Sequence, residues 1–169
     1  YEEKDECFSC GISISSDEKF FFVSTSDHTT SETYFFNVND IKPKLQLFKK
    51  RQKEIKYSVD SWKGYFYIHT NLDAEDYKIC KCKHEDIEKW EDFIPATNGV
   101  LIGSFDLLND WMIRSELRDA LAKIYVRNLN TNKEEELFFN RFCRGCSYPR
   151  TSIMECFYFK FSQIFNNLS

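Results

Sequence analysis

The sequence predicts an all-β protein assembled from repeated four-stranded antiparallel sheets, and three observations carry that expectation. Seventeen Phe and nine Tyr stand against only five Gly and three Pro, an aromatic share that suits a pleated sheet better than a helical bundle. Short alternating or apolar runs are separated throughout by polar turn segments. These runs recur at an interval of about 45 residues, the mark of an internal repeat.

The first repeat shows the pattern. Ile12 and Ile14 alternate with serines as in a half-buried strand, and Ser15-Ser16-Asp17-Glu18 is a turn into the apolar run Phe20-Phe21-Phe22-Val23. Asp27 to Glu32 is a second polar break, after which Thr33-Tyr34-Phe35-Phe36 resumes as strand. The same features then return twice. Second-strand residues Phe21, Phe66 and Met112 stand 45 and 46 positions apart, as do fourth-strand residues Phe48, Phe93 and Phe139. Third strands at Phe35, Ile79 and Tyr125 keep the interval, and first strands fall at Ile12 and Ile14, Tyr57 and Val59, and Leu101 and Gly103.

Four short strands per 45 residues is the arithmetic of a β-propeller blade. The expectation is therefore a partial β-propeller with blades at about 8–51, 54–95 and 98–139, each needing its neighbours to bury both faces. Three blades do not close a ring, since propellers have four to eight. His84 to Trp90 carries the one helical signal, a short turn with Trp90 and Phe93 on its apolar side. Trp62, Trp90 and Trp111 are expected in the core between blades rather than on a binding platform.

A chain of 169 residues with 42% hydrophobic and 30% charged residues is enough for a folded core. A net charge of −4 and a pI near 5.5 give no general attraction to nucleic acid or to an anionic membrane, so neither is expected as a partner. No window approaches the roughly 18 apolar residues of a spanning helix. The opening Tyr1-Glu2-Glu3-Lys4-Asp5-Glu6 is the opposite of a signal peptide, and the chain reads as cytoplasmic.

Seven cysteines, an odd number, suit free thiols rather than a disulfide framework. Cys7-x-x-Cys10, Cys80-x-Cys82 and Cys143-x-x-Cys146 contain enough thiolates for a zinc ion, but the pairs are far apart and no histidine stands at ligand spacing. Cys80 and Cys82 read instead as small hydrophobes of a strand, and no metal or cofactor is expected. His28, His69 and His84 have no partner visible in sequence and read as surface or turn residues. Lys42, Lys44, Lys49, Lys50, Arg51, Lys53 and Lys56 could meet phosphate, yet their place on an outer strand and blade link favours protection of a sheet edge.

An ordered set of segments resembles a known family. Tyr1 to Phe8, Thr29-Thr30-Ser31-Glu32, Tyr57-Ser58-Val59, Phe66 to Asn71, Trp90 to Pro95 and Gly103 to Leu107 resemble, in order and spacing, the propeller of the prolyl oligopeptidase family of serine peptidases. The resemblance lies with the branch that cleaves short peptides after Arg or Lys. It implies a seven-bladed propeller covering an α/β-hydrolase domain with a Ser-Asp-His triad, and short peptides as substrates admitted through the propeller. No G-x-S-x-G nucleophile elbow occurs in the chain, so the triad carries over to no position, and Ser9, Ser104 and Ser147 have no visible base. Catalytic, cofactor-binding and metal residues are therefore all expected to be none.

The chain departs from the family at two places. Ala120 stands where the family favours glycine before a third strand, a position at which positive φ would be strained. Residues 140–169 leave the 45-residue pattern and read as a divergent tail, as a truncated or frame-shifted product would. The expected partner is a second polypeptide supplying the missing blades and hydrolase domain. The alternative is a non-catalytic module that binds proteins through its open blade faces.

Overall fold

In the computed structural model, residues 1–137 are described, and they form three four-stranded antiparallel sheets without a helix among them. The first sheet runs β1 (Ser9–Ile14), β2 (Phe20–Ser26), β3 (Ser31–Asn37) and β4 (Gln46–Lys49) in simple meander order. The second is β5 (Tyr57–Trp62), β6 (Tyr65–Thr70), β7 (Lys78–Lys83) and β8 (Glu91–Ile94). The third is β9 (Val100–Leu108), β10 (Trp111–Arg118), β11 (Leu121–Asn128) and β12 (Glu134–Glu136). The expected four strands per repeat are thus present three times. With no helix among the described residues, none there is long and apolar enough to cross a membrane.

The second sheet is apolar on both faces, and that decides the architecture. Phe66 lies opposite Cys82 and Ile68 opposite Cys80, so these four share one face. They join Phe22, Phe35, Phe48 and Tyr57 in the core between the first and second sheets. Tyr67 and Ile79 point the other way and join Ile94, Ile102, Leu107 and Met112 between the second and third sheets. A strand buried on both sides reads as a continuous apolar run, which is why Tyr65 to Ile68 lacks polar alternation. Trp90 packs at the first seam and Trp62 at the second, as the sequence led one to expect.

Several expectations need correction. In β2 the core residue is Phe22, at 2% exposure, while Phe21 is half-buried against Phe36 on the opposite face. Three consecutive phenylalanines hide the two-residue alternation that would have set the register. The break after β2 is shorter than its polarity suggested, because Ser31 and Glu32 are buried strand residues of β3. Glu32 is matched there by the Arg51 backbone N–H at 3.0 Å and the Tyr34 hydroxyl at 2.7 Å, which offsets the cost of burying its charge. His84 to Trp90 forms the short turn expected there, but Trp90 and Phe93 do not share an apolar side and pack at different seams.

The fourth strand of the third sheet is not built around an aromatic. It is Glu134–Glu136, ahead of Phe139, which lies outside the described residues. Basic groups of the neighbouring strands hold it in place. Glu134 takes a bidentate contact from Arg114 and lies 3.7 Å from Arg127, while Glu136 accepts from Lys123 at 3.0 Å.

Ala120 has φ 59° and Asp119 φ 50°, the paired left-handed conformation of a tight two-residue hairpin between β10 and β11. Aspartate tolerates that region, whereas alanine brings its Cβ against the following carbonyl. Ala120→Gly is expected to raise stability by about 0.5–1 kcal/mol, the relief of strain less the greater entropy of an unfolded glycine. A urea titration checks it. No change or a loss would show that the turn is not strained.

Candidate functional site at the seams between sheets

The polar groups that sequence reasoning left unassigned gather where consecutive sheets meet. The backbone N–H and hydroxyl of Ser16, in the β1–β2 turn, donate to Asp60 of β5 at 2.8 and 2.5 Å. Ser61 donates its hydroxyl to Asp17 at 3.0 Å and stands 2.9 Å from His84 Nε2. The donor in that second contact follows the tautomer of His84, whose ring also has a hydrogen bond with the Tyr65 backbone. The His84 ring fits between Phe20 of the first sheet and Phe66 of the second, at 4.8 and 4.4 Å between centroids. Burial pushes the Asp60 carboxyl above its usual range.

Serine, histidine and aspartate in one hydrogen-bonded chain invite comparison with a nucleophile. Their order excludes it. In a Ser-His-Asp relay the imidazole lies between the other two and accepts the serine proton, whereas here the serine is central, between the Asp17 carboxylate and the imidazole. Ser61 is also 0% exposed, so no substrate reaches it. The arrangement is a clasp between sheets.

Other seam contacts follow the same logic. Tyr57 Oη accepts from the Thr33 N–H at 2.9 Å and donates to the Lys49 carbonyl at 2.6 Å, filling the register shift of β3 and β4 between Thr33 and Tyr34. Burial pushes that phenol up to about 12. Ser31 Oγ accepts from the Tyr57 N–H and donates to the Tyr57 carbonyl. Between the second and third sheets, His69 Nε2 donates to the Ile102 carbonyl at 2.8 Å while its ring stacks on Tyr77 at 4.5 Å. The Ile102 N–H in turn donates to the Asp76 carbonyl.

His69 and His84 are therefore not surface residues as the sequence suggested, but half-buried groups that bridge sheets; His28 is exposed. One signal could have found the first clasp. Ser16-Asp17 and Asp60-Ser61 are separated by 44 positions, nearly one repeat, and place a complementary Ser/Asp pair in the β1–β2 turn and in β5.

The remaining candidates disperse. Lys49 lies over the Trp90 ring, Arg51 pairs with Glu3 and Glu32, Lys53 with Glu54, and Lys56 reaches the His28 carbonyl, so these cations do not form a phosphate cradle. Lys44, Lys49 and Lys50 flank or end β4, an edge strand, as edge protection requires. Cys80 and Cys82 are buried free thiols pushed up to about 12 by burial, hence protonated, and Cys7 and Cys10 are exposed and free. Cys143 and Cys146 lie outside the described residues. Ser9 donates to the Ser26 carbonyl and Ser104 faces Ser115, both exposed, while Ser147 is outside the described residues.

Residues 1–160 match the family described as prolyl oligopeptidase, N-terminal beta-propeller domain. The chain belongs to this family. Among curated proteins, it is 36% identical over 126 residues to Protease 2 of Moraxella lacunata, covering 75% of this chain and 18% of the relative. It is 26% identical over 129 residues to dipeptidyl aminopeptidase BI of Pseudoxanthomonas mexicana, with the same shares. Oligopeptidase B from Trypanosoma brucei, solved in a closed form with covalently bound antipain, superposes with a TM-score of 0.76 at 24% identity. That likeness covers 83% of this chain and 21% of the solved one. Oligopeptidase B from Leishmania major gives 0.77 at 16% identity, again over 83% and 21%. The chain thus spans about a fifth of the length of the relatives it matches.

The prolyl oligopeptidase propeller gives the three sheets their identity as consecutive blades of its N-terminal domain. On that reading the clasps at Ser16–Asp60, Ser61–Asp17 and His69–Ile102 are inter-blade contacts.

Proposed function

We propose that this chain is a substrate-gating segment of the propeller of a serine oligopeptidase that cleaves short peptides after Arg or Lys, the catalytic domain and remaining blades being supplied from outside these residues by a second polypeptide. The observation that carries the reading is the match of residues 1–160 to the propeller domain, joined to three sheets stacked blade on blade. A propeller filters by size: blades fixed to one another leave a passage that an extended peptide enters and a folded protein does not. The seams described above are what fix the blades here. Free thiols among the described residues suit a reducing, cytoplasmic compartment.

The outward face of the first sheet favours the propeller over a free-standing binding module. Ile12, Val23, Tyr34 and Leu47 line up across its four strands by direct pairing, and Ile14, Phe21 and Phe36 form the next row. Ile12 is 68% exposed and Ile14 50%. Two apolar rows at blade spacing are what a further blade would cover.

No nucleophile elbow is present, so the chain alone is expected to show no hydrolysis of an Arg- or Lys-containing fluorogenic peptide above buffer. Exchanged for the matching segment of the Moraxella Protease 2, residues 12–137 are expected to support cleavage of the short peptide while a folded protein stays uncut. Turnover by the isolated chain that a serine-directed inhibitor abolishes would overturn the assignment. So would a folded chimera that cleaves folded protein as fast as peptide.

A further inference from the structure

The first strands of the second and third sheets each have one edge residue held by the sheet before. Ser31, at the head of β3, gives its N–H to the Ile55 carbonyl, while its hydroxyl accepts from the Tyr57 N–H at 2.7 Å and donates to the Tyr57 carbonyl at 2.9 Å. One repeat later the Asp76 carbonyl accepts the Ile102 N–H, and His69 donates to the Ile102 carbonyl. Ser31 and Asp76 stand 45 positions apart, as do Tyr57 and Ile102. The same count back from Ile55 and Tyr57 falls on Cys10 and Ile12.

The Ser15 N–H donates to the Phe20 carbonyl, which makes Ser13, Gly11 and Ser9 the residues of β1 bonded to β2 and turns the N–H and C=O of Cys10, Ile12 and Ile14 toward the open edge. Among the described residues, none meets the N–H or carbonyl of Ile12. Charge is what keeps an edge from pairing, and the other five edge strands each carry aspartate, glutamate or lysine. β1 carries none. We infer that Cys10 and Ile12 form a socket for a serine or threonine at the head of the third strand of a further four-stranded sheet: its N–H on the Cys10 carbonyl, its hydroxyl between the Ile12 N–H and carbonyl, as Ser31 sits on Ile55 and Tyr57. This rests on the propeller reading and adds to it the lock that sets the register. Apolar rows such as Ile12 to Leu47 attract without direction, whereas a hydroxyl held between an N–H and a C=O fits at one place only.

Amide exchange resolved to single residues reads the socket in the full chain and in a Protease 2 chimera carrying residues 1–137 in place of the corresponding segment. In the chain alone the Ile12 N–H is expected to exchange near its intrinsic rate, and in the chimera to slow at least about 100-fold. Gly11 and Ser13, bonded to β2 in both, are the references. Ile12→Pro deletes the donor without touching the β1–β2 ladder, so it should move the urea midpoint of the chain little and that of the chimera much more; Ile12→Val, which keeps the N–H, has the smaller effect there. The hydroxyl is tested within the chain itself, by repeating residues 9–45 directly ahead of Tyr1, which sets a second Ser31 one repeat before the first. Ile12 must then slow, and Ser31→Ala in the added copy alone must free it. An Ile12 amide that stays fast in a chimera cleaving only short peptides would overturn the socket and leave the gating reading standing. Protection of Ile12 that rises with the concentration of the chain alone would give the edge to a second copy and overturn it too.

Discussion

Phe66→Ala is expected to destabilise the protein by about 3–5 kcal/mol, the range for removing a fully buried phenyl ring and leaving a cavity. Phe66 is 0% exposed and stands at the centre of the first seam. Its ring contacts those of Phe20, Phe22, Phe35 and Phe48 and that of His84, with centroids between 4.4 and 6.1 Å away. The neighbours belong to strands of two sheets and cannot collapse inward without breaking their ladders, so the void persists. Phe21→Ala removes the same atoms from the outward face of the first sheet and is expected to cost much less. Urea unfolding followed by the fluorescence of Trp90, which packs at the same seam, measures both. Equal losses for the two variants would mean that this seam is not the core.

Arg114→Met is the second large effect, expected at about 3–5 kcal/mol, because it strands buried charge rather than removing packing. Arg114 and Glu116 are each 5% exposed. The guanidinium donates to Glu116 at 2.8 Å through Nε and to Glu134 through both terminal nitrogens, and it lies over the Tyr125 ring at 4.6 Å. Without it, Glu116 keeps only Arg118, at 3.5 Å, and the first residue of β12, Glu134, keeps only Arg127, at 3.7 Å, as a charged partner. Replacing both charges, as in Arg114→Met with Glu116→Leu, is expected to recover most of the loss, since a buried pair exchanged for apolar groups of similar volume is often neutral. A double variant as unstable as the single would place the cost in β12 rather than in the stranded carboxylate.

The repeat was legible because its period is set by local chemistry. Polar turns at Ser15 to Glu18 and Lys63-Gly64, and aromatic runs such as Tyr65-Phe66-Tyr67, announce strands without reference to anything distant. Ala120 stood out as a misfit only against the glycine that the resembling family favours there, and its φ of 59° lies in the left-handed region. The register of β2 was not legible, because Phe20-Phe21-Phe22 offers an apolar side chain to either face. The fourth strand of the third sheet was missed for a different reason. Glu134-Glu135-Glu136 has the composition of a loop, and it becomes a strand because Arg114, Lys123, Tyr125 and Arg127 on β10 and β11 meet its carboxylates.

By itself, then, the sequence determined the all-β class, the count of three sheets and the pairing of neighbours in chain order, since hairpins need only alternation and turns within a few residues of each other. Only the tertiary structure decided the roles of His69, His84, Ser61, Glu32 and Tyr57. Each is polar and individually unremarkable. Each is buried or half-buried, and its partner is distant in the chain: Ser61, His69 and Tyr57 are satisfied from another sheet, up to 44 positions away, Glu32 by the Arg51 N–H, and His84 by Ser61 while its ring packs on Phe20 of the first sheet. A buried polar group is tolerated only when its partner is in place, and that partner is brought there by the stacking of sheets, which no local pattern encodes.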